Sequence, residues 1–160
     1  MNIKILGALA ALALLSACAS KPADTTGTTG TAMTAPSAPS IVPGSQEDLV
    51  ANVGDRVFYE LNQSVLSDEA QATLTKQATW LGKYPNVTVQ LAGNCDERGT
   101  EEYNLALGNR RAKAARDFLV AKGVSTARIT TISYGKDRPV ALGSNEQAWA
   151  QNRNAITSVK

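Results

Sequence analysis

From Ala19 to about Gly44 the chain reads ASKPADTTGTTGTAMTAPSAPSIVPG, and no other stretch limits the fold so strongly. Thr, Ser, Gly, Ala and Pro dominate it. Such a segment buries too little apolar surface to offset the entropy lost on ordering, so it predicts a disordered linker. The 160 residues therefore divide into a leader at 1–17, a tether at 18–45 and one folded domain at 46–160. The stretch up to Asp55 spans roughly 120 Å fully extended. As a flexible coil it averages about 35 Å end to end.

The leader, MNIKILGALAALALLSAC, has a positive start at Lys4 and an apolar run from Ile5 to Leu15. A permanent membrane helix needs about twenty apolar residues, so this shorter run suits the core of an export signal peptide. Leu15-Ser16-Ala17-Cys18 resembles a lipobox, the processing sequence of bacterial lipoproteins. The resemblance implies cleavage before Cys18 and lipidation of Cys18 with fatty acyl chains such as palmitate. One chain binds a bilayer only marginally, whereas the three such lipoproteins typically carry hold stably. Ala19 stands where an Asp is the usual inner-membrane retention signal. The expected location is therefore the periplasmic face of the cell outer membrane, anchored in the lipid bilayer through acylated Cys18. An ordinary export signal with an incidental cysteine is the alternative.

Composition excludes several functions. Sixteen Lys and Arg face fourteen Asp and Glu, and a net charge of +2 gives no electrostatic reason to expect nucleic acid. Histidine is absent, which removes the commonest general base and the commonest metal ligand together. No metal, no cofactor and no catalytic residues are expected. Aromatics make up 5%, so the core rests on Leu, Val, Ile and Ala. With Cys18 assigned to lipid, Cys95 has no partner and reads as a buried thiol.

Within the domain, Asp55–Leu61 is β-branched and aromatic enough for a strand. Ser67 caps a helix with Asp68 and Glu69 in its first turn. Leu74, Ala78 and Leu81 recur at helical spacing before Pro85-Asn86 stops it. NVTVQLAG alternates Val87, Val89 and Leu91, a strand with one buried face. A helix over about Glu101–Lys122 follows, with Leu107, Ala114, Phe118 and Leu119 inward and Gly123 closing it. RITTISYG is a third strand. A short helix near Asn145–Gln151 precedes a last strand at Ala155–Val159. This βαβαβ order predicts an α/β (α+β) sandwich, with helices packed on one face of a mixed sheet. Trp80 and Trp149 read as core.

Residues Leu91–Ala115, LAGNCDERGTEEYNLALGNRRAKAA, concentrate charge of both signs in a Gly-bounded loop and the helix after it. Together with TISYGKDRP at Thr131–Pro139 and WAQNR at Trp149–Arg153, this stretch resembles the OmpA-like peptidoglycan-binding domains. With the lipobox and tether added, the resemblance narrows to the peptidoglycan-associated lipoproteins (the Pal group) and covers essentially the whole chain. It implies binding of the peptidoglycan stem peptide through diaminopimelate, whose ammonium and carboxylate share one carbon. Asp96 matches the acid that accepts from the ammonium. Arg111 matches the helix arginine that pairs with the carboxylate, a geometry suited to guanidinium. Asn104 matches a polar position beside the ligand. Main-chain N–H groups around Gly99 and Thr100 can receive anionic oxygens. Arg111 pairing with Glu97 or Asp96 merely to hold the loop is the plainer alternative. Arg98 reads as a loop brace, Arg110 as a solvated charge, Glu101 and Glu102 as first-turn acids, and Leu107 as core or pocket wall.

The chain departs from the family pattern near these residues. Ala92-Gly93-Asn94 stands where Glu-Gly-His is usual, Tyr59-Glu60-Leu61-Asn62 where Phe-Asp-x-Asp is usual, and Asn154 where a second arginine is usual. Asn94 still donates and accepts hydrogen bonds but cannot become cationic. The resemblance further implies a non-enzymatic role in the Tol-Pal system, with Tol proteins such as TolB and TolA as partners. That role covers envelope integrity and inward movement of the outer membrane during cell division. A module that docks periplasmic Tol partners with weakened peptidoglycan binding is the alternative. An enzyme is disfavoured, because no nucleophile setting or metal-ligand spacing is present.

Overall fold

The computed structural model describes residues 41–160. The leader, Cys18 and the tether up to Ser40 lie outside the described residues. The order is α1 (Gln46–Asn52), β1 (Arg56–Phe58), α2 (Asp68–Lys83), β2 (Val89–Asn94), α3 (Glu101–Ala121), a 3₁₀ turn (Thr126–Arg128), β3 (Ile129–Gly135), α4 (Glu146–Asn152) and β4 (Asn154–Val159).

The sheet runs β1-β4-β2-β3. Strand β4 is antiparallel to both β1 and β2, while β2 and β3 are parallel, joined by the α3 crossover. The sheet is therefore mixed. Helix α3 lies over β2 and β3, and α2 lies beside it near β1. Their shared core is built from Leu49, Val57, Leu74, Leu81, Val89, Leu91, Ala112, Ala115 and Leu119.

Helix ends follow the local chemistry. Ser67 Oγ accepts from Ala70 N at 3.2 Å and starts α2. Thr100 Oγ1 accepts from Tyr103 N at 3.2 Å and starts α3. Gly123 takes φ +96° just past α3, a left-handed stop that a side chain would strain. Helix α1 has no counterpart in the sequence reading, because seven residues are too few to show a period. Ser45 Oγ caps it, accepting from Asp48 N at 3.3 Å, and Asp48 in turn accepts from Gly44 N at 2.7 Å, from Asn52 Nδ2 at 2.7 Å and, across the fold, from Trp80 Nε1 at 3.0 Å.

Three expectations need correction. Strand β1 ends at Phe58, not Leu61, because the chain turns away at Leu61-Asn62, where Asn62 adopts φ +56°. The buried stripe of α3 is Asn104, Leu107, Gly108, Arg111, Ala112, Ala115 and Leu119, while Ala114 and Phe118 are only half-buried. Trp149 is half-exposed and braces a loop, whereas Trp80 is core.

Small residues let α3 approach the sheet at backbone distance. A Cβ on Gly93 of β2 would sit 1.8 Å from the Gly108 carbonyl oxygen. One on Gly108 of α3 would sit 2.3 Å from Ser133 Oγ and 2.7 Å from the Gly93 oxygen. This contact fixes the height of α3 above β2 one turn before Arg111. Gly93→Ala and Gly108→Ala are each expected to destabilise the domain by about 3 kcal/mol or more, read as a lowered urea midpoint.

The Asp48 carboxyl is held down to about 2 by the Gly44 N–H, the Asn52 amide and the Trp80 indole, against an ordinary 3.8. A depressed carboxyl stabilises the fold above its unfolded value and loses that effect as pH falls through the folded one. Thermal unfolding should therefore show a loss of Tm between about pH 4 and pH 2 that Asp48→Asn reduces. An unchanged profile in Asp48→Asn would remove this group from the acid response.

Candidate functional site

Arg111 is the largest fully buried side chain among the described residues. Helix α3 delivers it to where the β1 turn and the end of β2 converge. Its Nε donates to Gln63 O at 2.8 Å, Nη1 to Asn94 O at 2.8 Å and Nη2 to Glu60 O at 3.1 Å. Nη1 also reaches Cys95 Sγ at 3.4 Å. Every one of these partners is neutral. Below the guanidinium, Tyr59 donates its hydroxyl to the Arg111 carbonyl at 2.9 Å, with its ring centroid 5.2 Å from the guanidinium carbon. Burial pushes the Arg111 pKa down, with Cys95, Tyr59 and Asp96 opposing, but a guanidinium stays protonated in proteins.

A pocket of about 360 Å³ opens beside this cation. It is walled by Leu61, Asn62 and Leu107, floored by Cys95 and Asn104, and carries Asp96, Arg98, Arg111 and Arg153. Three guanidiniums thus face one carboxylate. Asp96 is buried, and Arg98 grips it through Nη2–Oδ2 at 2.7 Å and Nε–Oδ1 at 3.2 Å. The Arg98 main-chain N–H adds a third bond to Oδ1 at 3.2 Å, and Arg153 Nη1 lies 3.4 Å from Oδ2. Burial pushes the Asp96 carboxyl up, but the Arg98 and Arg153 bonds outweigh it and leave the group below its ordinary value.

The other expected site residues occupy different positions. Asn104 lines the pocket while its Nδ2 pins the loop, donating to Arg98 O at 2.8 Å and Thr100 O at 3.0 Å. Gly99 lines the pocket at φ +88°, a conformation that favours glycine, and its carbonyl accepts from Lys136 Nζ at 2.9 Å. Thr100 is outside the lining, with its hydroxyl spent on capping α3. The Asn94 side chain also points elsewhere; only its carbonyl serves the site, through Arg111. Its Nδ2 donates to Asn154 Oδ1 at 2.7 Å, so two of the three asparagines that depart from the family pattern pair with each other across β2 and β4. Asn94 Oδ1 is buried without a partner. Glu60 and Asn62, two further departures, contribute a carbonyl to Arg111 and an Oδ1 acceptor for the Tyr103 hydroxyl at 3.2 Å.

Arg153 was not among the expected site residues. It is buried, with Nε donating to Tyr59 O at 3.1 Å and Nη2 to Glu146 Oε1 at 2.7 Å, besides its contact with Asp96. Its signal in the sequence was the WAQNR motif, but nothing local says that the start of β4 folds back onto a loop 57 residues earlier. Cys95 is buried, and its thiol donates to Asn104 O at 3.3 Å. Burial pushes that thiol up, away from the reactive thiolate.

The geometry defines a small α+β domain with a pocket that presents three guanidiniums and one carboxylate. Residues 58–153 match the OmpA family profile. The chain belongs to the OmpA family. Within it, the chain is 55% identical over 115 residues to the peptidoglycan-associated lipoprotein of Brucella melitensis, covering 72% of this chain and 68% of that protein. It is 53% identical over 117 residues to the namesake from Mesorhizobium japonicum, covering 73% and 70%. The crystal structure of the peptidoglycan-associated lipoprotein from Burkholderia pseudomallei superposes with a TM-score of 0.65 at 42% identity, covering 66% of this chain and 90% of that one.

Replacing Arg111 by Met leaves three carbonyls, that of buried Asn94 among them, without their donor. The expected loss is about 3 kcal/mol of stability by urea unfolding. Arg111→Lys should recover only part of it, because one ammonium cannot reproduce the guanidinium fork.

Proposed function

We propose that this domain binds peptidoglycan non-covalently, through the diaminopimelate of its stem peptide, and that the chain is an outer-membrane lipoprotein. Lipid on Cys18 and a grip on the cell wall would then join the two layers across the tether, without catalysis. The supporting names are those of the relatives, each a peptidoglycan-associated lipoprotein. The single observation that carries the reading is Arg111: a buried guanidinium with only neutral partners, beside a pocket that also holds Asp96. A desolvated cation of this kind favours an incoming carboxylate, and Asp96 supplies the opposite charge for an ammonium on the same ligand. Work with Tol proteins such as TolB and TolA in envelope integrity and cell division is the wider role that we propose on the family likeness.

Sedimentation with insoluble peptidoglycan tests this directly. Wild type should pellet, whereas Asp96→Asn and Arg153→Gln should lose about ten- to a hundred-fold in affinity, the size of one or two charged hydrogen bonds. Circular dichroism checks that each variant is folded. Wild type remaining in the supernatant to the same extent as Asp96→Asn would sink the proposal. The pH dependence is equally specific. No histidine titrates, so affinity should be flat between about pH 5 and pH 8. It should fall only as acid protonates Asp96, below the ordinary carboxylate value of 3.8.

A further inference from the structure

Both oxygens of Asp96 are already occupied by guanidinium, so a ligand's ammonium has no open acceptor on Asp96, the one carboxylate that lines this pocket among the described residues. One of the occupants must leave. Arg153 cannot: its side chain is 6% exposed and is clamped at Tyr59 O, Glu146 and Asp96. Arg111 is held by three carbonyls. Arg98 differs. Its side chain is 35% exposed, and its guanidinium bonds to no acceptor beyond Asp96 at hydrogen-bonding distance.

A second carboxylate for Arg98 lies ready on its outer side, along a ring that its guanidinium already covers. The guanidinium carbon already stands 4.0 Å from the Trp149 ring centroid. Glu146 Oε2 is 4.0 Å from Arg98 Nη1. Trp149 Nε1 holds Glu97 Oε1 at 3.0 Å, which adds a further carboxylate at the edge of that ring. The Arg98 backbone stays anchored through Asn104 Nδ2 and its own N–H on Asp96.

We infer that Arg98 is a built-in stand-in for the ligand's ammonium: it holds Asp96 until a ligand ammonium arrives, then shifts from Asp96 to Glu146 while its guanidinium stays on the face of Trp149. This rests on the peptidoglycan reading and adds a regulating residue to the same site. The stand-in keeps a buried carboxylate paired while the pocket is vacant. It also makes entry selective, because a ligand with carboxylate alone cannot dislodge a guanidinium from Asp96.

The test compares two stem peptides that differ at one residue, diaminopimelate in one and 2-aminopimelate, which lacks the free ammonium, in the other. Affinities are measured by calorimetry on wild type, Arg98→Gln and Arg98→Lys. The gain expected on removing a half-exposed ion pair that must break is up to about five-fold. Arg98→Gln should therefore bind the diaminopimelate peptide about three- to five-fold more tightly than wild type, and the aminopimelate peptide no more tightly. Arg98→Lys, which keeps the charge, should stay near wild type on both. Wild type that binds the diaminopimelate peptide, with Arg98→Gln equal or weaker, overturns this inference alone and makes Arg98 an ordinary brace or ligand contact. Failure of wild type and Arg98→Gln alike to bind that peptide overturns the peptidoglycan reading and this one with it.

Discussion

A guanidinium stripped of water needs its donors answered, and Arg111 finds its answers in three separate pieces of chain. Glu60 and Gln63 supply carbonyls from the turn after β1, and Asn94 supplies one from the end of β2. The residue itself rises from α3. One side chain therefore ties a helix, a strand end and a turn distant in sequence into the wall of a single pocket. Neutral carbonyls satisfy its hydrogens but do not cancel its charge. The tie that builds the pocket thus also sets the pocket's electrostatic character.

That arrangement depends on how closely α3 can approach. Gly93 and Gly108 let two backbones meet where any side chain would collide. Arg111 follows Gly108 within one turn, so the height of the helix decides whether the guanidinium reaches Asn94. The glycines belong to packing, the arginine to the site, and the first makes the second possible.

Charge balance in the pocket is the second organising constraint. Asp96 alone opposes three arginines there, and it remains ionised because Arg98 and Arg153 outweigh its burial. Arg153 passes the excess outward to Glu146, and Arg98 rests on Trp149. The loop at residues 95–99 is therefore braced from α4 on one side and from Asn104 on the other. The pair formed by Asn94 and Asn154 shows how two departures from the family pattern are absorbed: each amide meets the other inside the sheet, away from the ligand's space.

Local chemistry wrote much of this fold into the sequence. The cap at Ser67, the stop at Gly123 and the alternation in β2 act over a few residues, so periodicity and cap chemistry expose them. The charged loop stood out as one dense run of charge, but Asp96 and Arg111 were singled out within it by the resemblance to the OmpA-like domains, not by spacing. Helix α1 went unread because its seven residues show no period, and the contact that docks it comes from Trp80, 32 residues away. Arg153 was hidden likewise: only the return of β4 beside β1 carries it to Asp96. Which arginine is fixed and which is free to leave was decided by burial. Burial belongs to the assembled sheet and helices, because desolvation is set by every neighbour at once and by no short run of residues.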